Sequence, residues 1–185
     1  MKLSDILPLE QWVELEQEIN QKFRLNASIF DTNGIKITDF KKWANKLCPV
    51  IKANENGQKY ICAVAHQNIA AQAIKTRKSV IGECDAGLVK IAVPIFLGHD
   101  FLGIAGGCGK INNGSEIDSF LVNRITGLDE KRISRLSEDI SGMTTGQAEA
   151  AIEFIQKKID RIVSNFENSN NEPWTVVTTG LTPRC

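Results

Sequence analysis

The 185-residue sequence has no charge imbalance, with 22 Lys and Arg against 22 Asp and Glu. A chain without a basic excess or a basic stripe is not built to hold a polyanion, so nucleic acid is not expected as a partner. No apolar run approaches the roughly 18 residues that cross a bilayer, and no direct membrane contact is expected from this segment. The opening residues, MKLSDILPLEQW, carry Asp5 and Glu10 inside their apolar patch and so lack a secretory core. Together these absences read as a cytoplasmic domain. Also missing are a phosphate-cradling loop, a nucleophile with base and orienting partner, and paired acids at hydrolytic spacing, so no enzymatic activity is expected. There is no internal repeat. The remaining composition, 42% apolar and 24% charged, is that of a globular chain long enough to bury a substantial core.

Cysteine is what the chain does have, five in all. In a reducing compartment they point to metal, redox chemistry or plain burial rather than to structural disulfides. Residues 83–109 form the organising stretch, opened by Cys84 and closed by Cys108. Between the two lie strand-like apolar runs at 88–96 and 101–105, joined by Gly98-His99-Asp100. The second run ends in Gly106-Gly107, where a missing side chain lets another group approach the backbone.

Pro8, followed by Leu9, Trp12, Val13, Ile19 and Phe23 at helical spacing, predicts a helix over 8–23. Short β-branched runs at 27–30 and 35–37 flank Asp31-Thr32-Asn33-Gly34 and predict a hairpin. Residues 39–54 read as a short helix broken at Pro49, 59–76 as a helix, and 79–84 as a strand. Past the turn at 112–115, helices are expected over 115–124 and 129–138. A last helix, capped by Thr144 or Thr145, should run to Phe166. In it Ala148, Ile152, Ile155, Ile159, Ile162 and Phe166 form a short heptad seam, equally suited to packing on its own domain or to a homodimer. The chain thus divides into a core at 1–111, a helical extension at 112–166 ending in a signalling or dimerisation helix, and a flexible polar tail at 167–185 that holds Cys185.

Cys48, Cys62, Cys84 and Cys108 follow the pattern C-x13-C-x21-C-x23-C, which matches no compact ferredoxin or zinc-finger signature. Each sits at a break in the secondary-structure pattern, where ligands find geometric freedom. Spacing alone leaves metal binding and inert buried thiols both open.

Three segments, ICAVAHQNIAAQA (61–73), CDAGLVKIAVPIF (84–96) and FLGIAGGCG (101–109), resemble the sensory-domain family named after PocR. The most specific matches are Cys84-Asp85-Ala86-Gly87-Leu88 and Val93-Pro94-Ile95. The resemblance extends upstream through Leu47-Cys48-Pro49 and covers about residues 5–165. It implies an α+β, PAS-like fold: an antiparallel five-stranded sheet with flanking helices and a helical C-terminal extension. It also implies a sensor of small molecules ahead of chemotaxis, regulatory or kinase outputs, with a downstream signalling module as partner. Many relatives carry Gln after the Gly-Gly pair, where this chain has Cys108; the other three cysteines stand at family-like positions around the ligand pocket. Four thiolates suit a 4Fe–4S iron–sulfur cluster, and they also suit zinc. The expectation is a cluster sensing oxygen or redox state, as chemoreceptor input. The alternatives are a small organic ligand in the same pocket without metal, or a zinc-stabilised interaction domain.

His66, four residues after Cys62, shares its helical face and is either a replacement ligand or a polar contact at the pocket rim. Trp43 and Tyr60 are expected to close the pocket, and Gly106 and Gly107 to admit its contents. His99 is expected in solvent.

Overall fold

Leu88–Leu97 is apolar almost throughout and forms β3, the central strand of the sheet. It pairs antiparallel with β4 (Asp100–Asn112) on one side and with β2 (Val80–Glu83) on the other. On the far side of β4 lies β1 (Asn26–Asp31), also antiparallel, giving the order β1-β4-β3-β2. A two-residue β5 (Gly142–Met143) extends the sheet by pairing parallel to Ile111 and Asn112. This is a computed structural model, and it describes residues 1–171. Cys185 and the tail beyond Asn171 lie outside the described residues.

The sheet has the expected five strands, but one of them is a different one. Residues 35–37 make a single bridge, Phe30 to Lys36, instead of a second hairpin arm. The turn itself forms as predicted: the Asp31 carboxylate accepts the N–H groups of Asn33 and Ile35, both at 2.9 Å, and Gly34 takes φ +74°. Beyond the turn, side chains draw the chain off the sheet. Lys36 reaches Glu16 at 3.4 Å and Thr38 donates to the same carboxylate, while Ile35 has no core to pack against.

One face of the sheet is covered by α2 (Leu9–Phe23) and α7 (Thr145–Asn171). Trp12, Leu15 and Ile19 of α2, at helical spacing, pack with Ile29, Ile91, Val93 and Ile95 of the sheet. A short α1 (Leu3–Ile6), which the sequence pattern does not announce, seats Leu3 in this core, and its Leu3 carbonyl accepts the Trp12 indole N–H at 3.1 Å. Thr144 caps α7 with a reciprocal pair of bonds to Gln147, at 3.1 and 2.9 Å. The helix runs on to Asn171 instead of stopping at Phe166. Of the heptad seam, Ala148, Ile155 and Ile159 lie buried in this core and Ile152, Ile162 and Phe166 pack half-buried against it, so the seam packs on its own domain.

The other face carries α4 (Val64–Thr76), whose Ile69 and Ala73 pack on Val80, Ala92 and Ile104. Gly57–Ala63 precedes it as a π-helix. Residues 39–46 are not helical. The helix expected to break at Pro49 is instead α3 (Leu47–Ala53) with Pro49 in its first turn, where the missing N–H has no intrahelical acceptor to lose. The helices α5 (Ser119–Thr126) and α6 (Glu130–Ser137) start at Asp caps, Asp118 accepting Leu121 N–H at 2.8 Å and Asp129 accepting Arg132 N–H at 3.0 Å. Their Val122 and Ile133 share one core cluster with Leu47, Ile51 and Ile61. Among the described residues, no helix is long and apolar enough to cross a membrane.

Candidate functional site

Between that second face and the α3–π-helix–α4 arm lies a cavity of about 410 Å³. Strand register sets its floor. Gly106 lies opposite Ser28 and Ala92, and Cys108 opposite Asn26 and Lys90, so Asn26, Ser28, Ile104, Gly106, Cys108 and Lys90 share the cavity face. The side wall is the irregular segment 33–43. Asn20 holds it from α2, donating to the carbonyls of Leu25 at 2.7 Å and Lys42 at 3.2 Å.

All four cysteines line this cavity as free thiols: Cys48 from the first turn of α3, Cys62 from the π-helix, Cys84 after β2, and Cys108 from β4. Three of the sulfurs accept N–H groups. Asn45 Nδ2 donates to Cys48 Sγ at 3.3 Å and to the Gly109 carbonyl at 2.6 Å, while its Oδ1 accepts the Cys48 N–H at 2.8 Å. Asn26 Nδ2 approaches Cys108 Sγ at 3.9 Å. The 84–87 turn, closed by Gly87 N–H to the Cys84 carbonyl at 2.8 Å, aims the N–H groups of Ala86 and Leu88 at the Cys84 sulfur. Gly87 is required there, since it takes φ +80° and a Cβ would lie 2.9 Å from the Glu116 carbonyl.

Burial pushes all three shifted thiols up, Cys48 furthest and Cys62 to about 11, and the negative charge of neighbouring cysteines adds to the shift at each. The N–H donors on Cys48 and Cys84 work the other way and favour thiolate. Neutral thiols at pH 7 that already carry N–H donors are suited to losing their protons when a cationic centre enters.

His66 is buried at the cavity wall with its ring against Phe30, centroids 4.0 Å apart. Burial, then the charges of Lys90 and Lys52, lowers its pKa from 6.5 to about 4, so the imidazole is neutral at pH 7. A base depressed in the folded state contributes stability above its unfolded pKa and loses it as pH falls through the folded value. Thermal unfolding should therefore show a loss on the order of 2 kcal/mol between pH 6.5 and 4, and His66→Gln should flatten that limb.

Trp43 lines the cavity at its half-open rim, with Lys52 Nζ 5.9 Å from its ring, and Gly106 and Gly107 line the floor. Tyr60 does not. It is 47% exposed and faces solvent, because the wider π-turn changes the angular step between residues and turns Ile61 inward in its place. Sequence reasoning missed Asn26 and Asn45. For Asn45 a signal existed, an Asn three residues before Cys48 and just ahead of a helix; for Asn26 there was none. Among the described residues, no three His, Cys, Asp or Glu side chains converge closely enough to hold a single metal ion.

A model of a family described as a sensory domain found in PocR matches residues 5–166. The chain belongs to this family. The PocR match takes in the sheet, the cavity and the helices through most of α7, and it makes the chain a signal-sensing domain. Membership of a sensory family points to sensing rather than catalysis. No curated protein and no solved structure matches the chain.

Proposed function

We propose that this PocR domain holds an iron–sulfur cluster through Cys48, Cys62, Cys84 and Cys108 and reports oxygen or redox state to a downstream signalling module, as chemoreceptor input in the cytoplasm. The observation that carries the reading is the meeting of four free thiols, from four separate elements, at one cavity, three of them already provided with N–H donors. When bound, such a cluster supplies reversible one-electron chemistry and sensitivity to oxygen. The chain's own part is to orient the sulfurs, through Asn45, Asn26 and the 84–87 turn, and to limit water through burial. Thiolates spread over α3, the π-helix, the β2 end and β4 would tie those elements together, and releasing them would free the α3–π-helix arm and the helices α5 and α6 packed on it. A homodimer through α7 would use what the sheet leaves uncovered of that helix.

A single zinc ion requires its sulfurs about 2.3 Å from one point. A cluster with its irons spread over several corners accepts wider spacing. A metal-free organic ligand is favoured by one observation, the cavity volume, which falls within the range of small-molecule sites. Anaerobic purification followed by an ultraviolet–visible spectrum and metal and sulfide analysis tests the proposal. The expected result is a coloured protein with about four irons and four sulfides per chain. Colourless protein without iron would overturn it, and zinc at about one per chain would install the interaction-domain reading.

A further inference from the structure

The charge of the cavity wall does not match the charge of the chain. Five lysines line it, Lys36, Lys41, Lys42, Lys52 and Lys90, and no Asp or Glu does, although the whole chain carries 22 residues of each sign. Among the described residues Lys36 alone of the five is ion-paired, to Glu16. Lys90 is the most telling. It interrupts the apolar run of the central strand, is half-buried, and faces the cavity across from Cys108. An unpaired ammonium on an interior strand is costly unless water or a counter-charge meets it, and like charges around one concavity reinforce the potential inside it. Lys52 and Lys90 line the same cavity as His66 and Cys62, and the charges of both lysines act on each of those groups. Beside them, Phe30, Phe40 and Trp43 supply apolar surface.

We infer that the cavity binds a small organic carboxylate, its charge met by Lys52 and Lys90 and its apolar body by Phe30, Phe40 and Trp43. The inference goes beyond the cluster proposal and uses none of the four sulfurs. A carboxylate gains charge-assisted hydrogen bonds at the ammonium groups, while a neutral molecule of the same shape gains only the apolar contact and leaves the repulsion among the lysines in place.

The test is thermal unfolding of the intact chain at constant ionic strength with acetate, benzoate and succinate, each compared with its neutral amide. It is read on anaerobically prepared protein and on protein stripped of iron. At least one acid should raise Tm by several degrees where its amide does not. Lys52→Gln and Lys90→Gln should each weaken that acid by about tenfold, the value of one charge-assisted hydrogen bond, and Lys131→Gln on α6 should leave it unchanged. Lys52 is exposed, so its variant remains informative if Lys90→Gln folds poorly. Equal responses to acid and amide, no response to any acid in either preparation, or a response that survives Lys52→Gln would overturn the inference. Iron and colour are measured on the same samples, so a missing cluster with an intact acid response counts against the cluster alone.

Discussion

Replacing Glu16 with alanine should cost about 3–5 kcal/mol of folding stability, the range for removing one partner from a buried ion pair. Glu16 is fully buried on α2. Its carboxylate accepts the Ile29 N–H at 2.9 Å and the Thr38 hydroxyl, and meets Lys36 at 3.4 Å. One side chain thus ties a helix to β1 and to the cavity's side wall. Alanine would leave a backbone N–H and a hydroxyl without partners and Lys36 uncompensated. Glu16→Gln should cost much less, because its amide oxygen still accepts the Ile29 N–H while its NH2 can donate to the Thr38 hydroxyl. Urea unfolding of the two variants, with unchanged m-values, separates bonding from packing. The pH dependence has a definite sign. Burial raises the Glu16 pKa against the lowering effects of Thr38, Lys36 and Ile29. The folded state therefore holds this proton more tightly than the unfolded chain. The contribution from this group is complete below the ordinary value of 4.5 and declines as pH rises through the raised one. Glu16→Gln should remove that decline, and a variant with the wild-type pH profile would refute the assignment.

Under the proposed cluster, Cys48→Ser, Cys62→Ser, Cys84→Ser and Cys108→Ser should each abolish the visible absorption of anaerobically isolated protein and lower bound iron at least tenfold. Serine keeps the size and half-buried polarity of each position, so far-ultraviolet circular dichroism should be preserved and the loss read as loss of ligands. Asn45→Ala goes further toward the geometry. It removes the N–H donor to Cys48 and the tie to Gly109 together, and such supporting groups typically change metal affinity by about 10- to 100-fold. Iron retained by any one of the four serine variants would remove that cysteine from the ligand set, and unmutated protein isolated without iron would favour the metal-free pocket.

Some of this was legible from residue order. The β3–β4 hairpin follows from two apolar runs and a polar turn, and α7 from a threonine cap with three-and-four spacing, because these are local signals. The side wall at 33–43 was not legible: its shape is set by Glu16 and Asn20, which bond Thr38 and Lys42 from far away in the chain, and by Asn26, which holds Ala44 just past its end. Glu16 itself looks like a surface residue of an amphipathic helix. Strand β5 has two residues, too few for any pattern. For the site, cysteines at element breaks could be picked out as candidates, but their arrival at one cavity depends on the β1–β4–β3 register. Tyr60 was misplaced because helical counting at 3.6 residues per turn fails across a π-turn. The lysine wall was hidden by dispersal, five residues between positions 36 and 90 in a chain of balanced charge.

Strand β4 belongs to two compartments at once. Cys108 and Gly106 look into the cavity, while Ala105 is embedded in the core beneath α7. A pleated strand cannot shift one row of side chains and leave the other where it was. The sheet thus acts as a thin, stiff diaphragm, pressed from one side by whatever occupies the cavity and carrying on its other side the longest helix of the molecule.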